Sequence, residues 1–233
     1  MPKVYFSLII ACFNEGPEFE KSVRKIISVL IKLSKSWEII FVEDKSTDKT
    51  PETVKAIVES IKNCRAIFHK RNMGRGKTVS DGIIAAKGKI CGYLDVDLEV
   101  SANYIPLFVS EIERGSDMVV GKRFYGAGAK SIVRFLASRF YSIIVKIYLE
   151  LPVDDTEAGY KFFKRSKILP VLKKTKDEGW FWDTEICARA NKAGLKISQV
   201  PVLFARRLDK KSTVRIIPDS IIYLIKIAGF QNN

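Results

Sequence analysis

Histidine is nearly absent: His69 stands alone among 233 residues and reads as structural. Cysteine is sparse as well. Cys12, Cys64, Cys91 and Cys187 are scattered, with no C-x-x-C pair and no zinc-ligand spacing. Three of them lie in apolar runs, which points to reduced, buried thiols of a cytoplasmic protein. No uninterrupted apolar segment reaches the roughly 20 residues that a membrane helix needs. Met1–Val4 leads straight into a strand-like run, so no secretory signal is expected. Repeats and low-complexity tracts are missing too. So are a helix-turn-helix, a zinc finger and an aromatic RNA platform, which argues against a nucleic-acid-binding protein.

What is abundant is positive charge. Forty basic residues face 26 acidic ones, a net +14, and such an excess attracts polyanions: nucleic acid, anionic head groups or phosphorylated substrates. The apolar fraction of 47% is that of a globular protein, and the length suits one domain with an extension.

Strand-like and helix-like segments alternate. Val4–Cys12, Trp37–Val42, Arg65–His69 and Ile90–Leu94 read as strands, with helices over Glu18–Ser34, Thr50–Lys62 and, after the Asn72–Lys77 segment, through Ala86. Further on come helix Tyr104–Arg114, strand Asp117–Gly121, a flexible loop at Tyr125–Gly128 and a greasy helix Ser131–Leu151 interrupted by Arg134, Arg139 and Lys146. A short helix after Lys164, another opened by Gly179–Glu185, strand Lys196–Val202, a basic run Arg206–Arg215 and helix Pro218–Ala228 complete the chain. This alternation predicts an α/β fold with a mostly parallel sheet flanked by helices. The helix at 129–151 either packs in a core or lies in a membrane interface.

Polar chemistry gathers where these strands end. Glu15, Asp44, Asn72–Lys77 and Asp95 with Asp97 each follow a predicted strand, and ligands of open α/β sheets bind at that edge. Residues two apart on an extended chain point the same way, so Asp95 and Asp97 could share one divalent cation. Glu99 joins them if the chain stays extended.

The motifs Ile9–Glu15 (IIACFNE), Glu43–Asp48 (EDKSTD), Asn72–Lys77 (NMGRGK), Asp95–Glu99 (DVDLE), Asp155–Lys161 (DTEAGYK) and Trp182–Glu185 (WDTE) occur in the order found in family 2 glycosyltransferases of the GT-A fold. The chain most resembles the polyprenyl-phosphate sugar synthases, such as dolichyl-phosphate glucosyl- and mannosyltransferases. The resemblance runs from Ser7 to about Ser212. It implies a catalytic domain over 1–212 and a basic, apolar helical extension over 213–233. Departures from the family pattern are Ala11, Glu43, Lys45, Glu99 and Glu157-Ala158.

The resemblance implies an inverting transfer of a hexose from UDP-glucose or GDP-mannose to a polyprenyl phosphate, with Mg2+ or Mn2+ as cofactor. It assigns the nucleotide to Ala11, Asn14, Glu15, Asp44, Ser46, Asn72, Lys77, Asp95, Val96 and Asp97, and the metal to Asp95, Asp97 and Glu99. It further implies catalytic roles for Asp95, Asp97 and Asp155, and an acceptor-phosphate site at Arg123, Arg134, Ser138 and Arg207. Gly74 and Gly76 would let the backbone approach a phosphate, with Lys77 as a point charge. Trp180, Phe181 and Trp182 either stack on a sugar or prenyl chain or fill the core, and Asp183 reads as structural, a cap or dipole partner of its helix. The expected setting is peripheral, on the cytoplasmic face of a membrane, with an anchoring partner or oligomer as a further possibility. A glycan or other hydroxyl acceptor, with Asp155 or Glu157 as base, is the rival reading.

Overall fold

The computed structural model describes residues 4–125, 148–205, 223, 226–227 and 229–230. The helix expected at 131–151 up to residue 147, the basic run 206–215 and most of the helix at 218–228 lie outside the described residues.

Seven strands form one sheet in the order β3-β2-β1-β4-β6-β5-β7. They are β1 (Phe6–Cys12), β2 (Trp37–Glu43), β3 (Cys64–Phe68), β4 (Ile90–Leu94), β5 (Met118–Tyr125), β6 (Tyr160–Lys164) and β7 (Ile197–Phe204). The helices are α1 (Phe19–Ile31), α2 (Thr50–Ser60), α3 (Arg75–Ala85), α4 (Ile105–Glu113), α5 (Arg165–Leu172) and α6 (Trp182–Lys192). β1, β2 and β4 read as nearly continuous apolar runs because helices cover both faces of a central parallel strand.

Alternation within the strands sorts side chains into two cores. Phe6, Leu8 and Ile10 pack with Val23, Ile26 and Leu30 of α1, Val54 of α2 and Phe108 of α4. Ile9, Ile40 and Val42 pack with Val79 and Ile83 of α3, Ile168 of α5 and Ile186 of α6. The result is three layers, α/β/α, and the predicted fold class holds.

One strand departs from the reading. The Tyr-Lys-Phe-Phe-Lys segment forms β6, which lies between β4 and β5 and runs antiparallel to both. Its reversal pairs Tyr160 with Leu94. The residues just before β6, Asp155 to Gly159, are thereby carried to the edge where β4 ends. Helix α3 also begins earlier than expected, inside the Asn72–Lys77 segment, so Arg75, Gly76 and Lys77 occupy its first turn.

Candidate active site

Three loops at the sheet edge interlock through hydrogen bonds from backbone N–H groups to side-chain oxygens. Asn14, in the left-handed region at φ 53°, donates its N–H to Ser46 Oγ at 3.0 Å and accepts the Thr47 N–H on Oδ1 at 2.8 Å. The Glu15 N–H reaches Thr50 Oγ1 at 3.0 Å, and the Gly16 N–H reaches Asp48 Oδ2 at 3.1 Å. Buried Glu43 accepts the N–H groups of Lys45 and Ser46, at 3.2 and 2.6 Å. Ala11 lies between them in register with Val42.

Asp44 ties the second loop to the third. Its carboxylate accepts the N–H groups of Met73 at 2.7 Å and Gly74 at 2.9 Å, and meets His69 Nδ1 at 2.7 Å. His69 Nε2 faces Asp81 at 3.2 Å, and Asp81 also binds Lys77. Asp44, expected at the nucleotide base, is thus already engaged in shaping the 72–74 loop. Lys77, expected at a phosphate, is paired within its own helix. Asn72 is exposed.

Gly74, at φ 90°, and Gly76 also have packing reasons to be glycine. A Cβ on Gly74 would stand 2.5 Å from the Glu178 carbonyl oxygen, and one on Gly76 would stand 2.5 Å from Trp182 Cβ. The 178–182 segment fills that space, and the Lys77 N–H donates to the Glu178 carbonyl at 3.1 Å.

At the end of β4 the chain does not stay extended. The Leu98 N–H closes a turn onto the Asp95 carbonyl at 3.2 Å, with Leu98 at φ 57°. The extended run on which Asp95, Asp97 and Glu99 would point the same way therefore ends before Asp97, so side-chain alternation aligns neither Asp97 nor Glu99 with Asp95. Asp97 instead accepts the Glu99 N–H on Oδ1 at 3.2 Å, and Val96 is buried. The Asp95 N–H donates to the Gly159 carbonyl at 3.0 Å. A side chain at 159 would overlap the Asp95 carboxylate.

The cation beside Asp95 is Arg75, which the sequence reading passed over. Its Nη2 lies 2.8 Å from Asp95 Oδ1, and its Nε lies 3.3 Å from Asp183 Oδ2. Asp183 is buried and also receives Lys161 Nζ at 2.5 Å and the Tyr93 hydroxyl. It makes no side-chain cap to its helix, so its structural part is to neutralise two cations. Burial pushes the Asp95 carboxyl above its ordinary value; Arg75 pulls against this, while Asp97 and Asp183 add to it. For Asp183 burial acts in the same direction, but Lys161 and Arg75 outweigh it and hold the carboxyl low.

Two strands away, Arg123 on β5 makes a bidentate pair with Asp155, Nε to Oδ2 at 2.7 Å and Nη2 to Oδ1 at 2.8 Å. Its backbone N–H donates to the same carboxylate at 3.1 Å. Burial opposes ionisation of Asp155, and Arg123 overcomes it, so this carboxyl sits below its ordinary value. Glu157, 3.9 Å from Arg123 and 38% exposed, is pushed up by burial first, with Asp155 and Asp183 adding to it against Arg123. Arg134, Ser138 and Arg207 lie outside the described residues.

Of the three aromatic residues where α6 starts, Phe181 and Trp182 are core, while Trp180 is exposed. The Arg75 guanidinium lies over its ring, 5.4 Å from the centroid. The loop that carries Trp180 is fastened by Glu185, which accepts the N–H groups of Lys176 and Asp177, and by Asp177, which accepts those of Gly179 and Trp182.

Among the described residues no three His, Cys, Asp or Glu side chains form a ready metal cluster. Asp95 and Asp97 nevertheless fit a divalent cation of the hard kind. They offer carboxylate oxygens only, and the charge of Asp97 presses on Asp95. Mg2+ is commonly held by one or two carboxylates with substrate phosphates supplying the rest.

A mostly parallel seven-stranded sheet flanked by helices, with acids just past the end of β4, is the architecture of GT-A glycosyltransferases. Glucosyl-3-phosphoglycerate synthase from Mycobacterium tuberculosis superposes with a TM-score of 0.70 over 97% of this chain and 80% of its own, at 19% identity. The same synthase has been solved with Mn2+, uridine diphosphate and glucosyl-3-phosphoglycerate. The model of glycosyl transferase family 2 matches residues 7–171, and the chain belongs to that family. Dolichyl-phosphate beta-glucosyltransferase ALG5A of Trichomonas vaginalis is 28% identical over 98% of this chain and 74% of its own length. The Saccharomyces cerevisiae dolichyl-phosphate beta-glucosyltransferase is 26% identical over 86% of this chain and 66% of its own. Glycosyltransferase AglD of Haloferax volcanii is 27% identical over 89% of this chain, which spans 34% of that protein.

Proposed function

We propose that this chain moves a hexose from UDP-glucose or GDP-mannose to a polyprenyl phosphate, with inversion, at the cytoplasmic surface of a membrane. The observation that carries the reading is a charge pattern along one sheet edge. Asp95 and Asp97 end β4, and the Arg123–Asp155 pair stands on the far side of β6. Two strand spacings separate them, about 10 Å, which is room for one sugar ring. The names of the relatives support the lipid acceptor, and the net +14 suits both an anionic donor and an anionic membrane surface.

In this reading 1–212 is the catalytic unit, 129–151 seats it on the membrane and 213–233 extends it, with an anchoring partner or oligomer left to experiment. Asp95 and Asp97 would hold Mg2+ or Mn2+, whose charge supplies Lewis-acid stabilisation of the leaving nucleoside diphosphate. Asn14, Glu15, Asp44, Ser46 and the 72–74 loop shape the pocket for base and ribose. Trp180, beside Arg75, offers its ring to the hexose. Arg123 orients the acceptor phosphate, whose oxygen bonds to the anomeric carbon as the bond to the diphosphate oxygen breaks. That oxygen is already ionised at neutral pH, so no strong base is required.

Glu157 favours a second reading. A partly exposed carboxyl whose proton affinity is raised is suited to deprotonate a hydroxyl acceptor. Asp155 is held low by Arg123 and makes a poor base. Radiolabelled UDP-glucose and GDP-mannose, offered with polyprenyl phosphate in vesicles, separate the two. Label entering the solvent-extracted lipid supports the first, whereas label entering only water-soluble product discards the lipid. Loss of transfer with a chelator and return with Mn2+ or Mg2+ test the metal.

A further inference from the structure

Among the described residues, Lys161 is the one basic side chain with no exposed surface. It is the second residue of β6, paired in register with Tyr93 and Val120, on the face where Phe163, Cys187 and Trp182 pack. A charge at such a place is commonly no better for stability than an apolar residue of like volume. Its partners are Asp183 Oδ1 at 2.5 Å and the Ala158 carbonyl at 2.7 Å. Asp183 in turn reaches Arg75, and Arg75 reaches Asp95 at 2.8 Å. Four charges of alternating sign thus run from the core to the edge: Lys161, Asp183, Arg75, Asp95. The last is the only one of the four whose side chain is nearly half exposed, at 46%.

We propose that the Lys161–Asp183 pair is a positioning device for the transfer site, holding the Arg75 guanidinium against Asp95. The inference rests on the transferase reading and assigns to that site two residues that touch no substrate. Lys161 neutralises one oxygen of Asp183 and leaves the other for Arg75 Nε. Tyr93 fixes the same carboxylate from the side through its hydroxyl. With Nε anchored, the guanidinium is held between the rings of Tyr93 and Trp180, 5.5 and 5.4 Å from their centroids. Its Nη2 faces Asp95 just past the end of β4. A lysine in place of Arg75 could not span both carboxylates in this fork geometry.

The test separates a positioning role from a purely structural one. Lys161→Met and Asp183→Asn each leave a buried charge short of a partner, so both should melt earlier and bind UDP with Mn2+ more weakly, by about tenfold or more. The double variant Lys161→Met, Asp183→Leu removes both buried charges. It should recover most of the melting temperature yet keep the loss in UDP–Mn2+ affinity and in kcat, because Arg75 has lost its anchor. Recovery of affinity together with stability would make the pair structural only and overturn the proposal. A crystal structure of the double variant with Arg75 still on Asp95 would overturn it as well, whatever the activity. Wild-type protein that binds neither UDP nor GDP with Mn2+ would remove the transferase reading itself, and with it any purpose for the pair.

Discussion

The loops that follow β1, β2 and β3 lie on the same sheet edge as those around β4, β5 and β6, yet different forces hold them. In the first group, carboxylates and an amide turn inward and accept the chain's own N–H groups: Glu43, Asp44, Asp48 and Asn14. In the second, carboxylates meet cations: Asp95 with Arg75, Asp183 with Lys161, Asp155 with Arg123. Hydrogen bonds to backbone give a fixed contour, which suits a base and ribose of constant shape. Ion pairs keep charge poised for partners that arrive with charge of their own, which in the proposed function are a diphosphate on one side and an acceptor phosphate on the other.

The comparison breaks hardest at Asp97. If the β4 acids carry the chemistry, Asp97→Ala should lower kcat by about 100-fold or more with little change in melting, and unchanged turnover in a radiolabel assay would remove the acids from the mechanism. Arg123→Met comes next. It leaves Asp155 under cover without its cation, so stability should fall by about 3 kcal/mol in urea titrations and lipid transfer should vanish; retention of both would mean the pair is neither structural nor part of the acceptor site. In the contour-forming half, Asp44→Asn keeps only one acceptor oxygen for the N–H groups of Met73 and Gly74. About 1–3 kcal/mol should be lost, seen as a rise in KM for the donor more than a fall in kcat.

The two kinds of carboxylate should also part company with pH. Asp155 is held below the unfolded value of about 4, so its contribution is fully present above that value and is lost as pH falls through its folded pKa. Asp95 is raised, so the folded state binds its proton more tightly, and stability declines as pH rises from the unfolded value through the folded one. Asp155→Asn should therefore melt below wild type at neutral pH, whereas Asp95→Asn should melt at or above it. Both differences should shrink toward acid, and like-signed shifts at neutral pH would show that the two sites are not opposed. The smallest effect belongs to Trp180→Ala, which should move stability by less than about 0.5 kcal/mol. It should weaken UDP-glucose binding in calorimetry and leave UDP binding as it was.

Much of this architecture was legible one segment at a time. Helix α1 announces itself through Phe19, Val23, Ile26 and Leu30 on one face, and β1, β2 and β4 through runs too apolar for anything but a central strand. Strand β6 was not legible, because a lysine at its second position interrupts both alternation and apolar run. Its aromatic flanks were the available signal. Arg75 was hidden for a similar reason: between two glycines it looks like part of a phosphate loop, and nothing nearby in sequence hints at Asp183, 108 residues away.

The strands other than β6, the family motifs and the acids placed at strand ends follow from the sequence alone, since each depends on neighbours within one or two turns of chain. The tertiary structure decided which of those polar groups are already taken. It turned Gly74 and Gly76 into packing positions, bent the chain at Leu98 so that Glu99 falls out of line, and set a buried lysine behind the site. These outcomes depend on contacts between segments far apart in the chain, where burial raises the cost of an unpaired charge and so selects its partner.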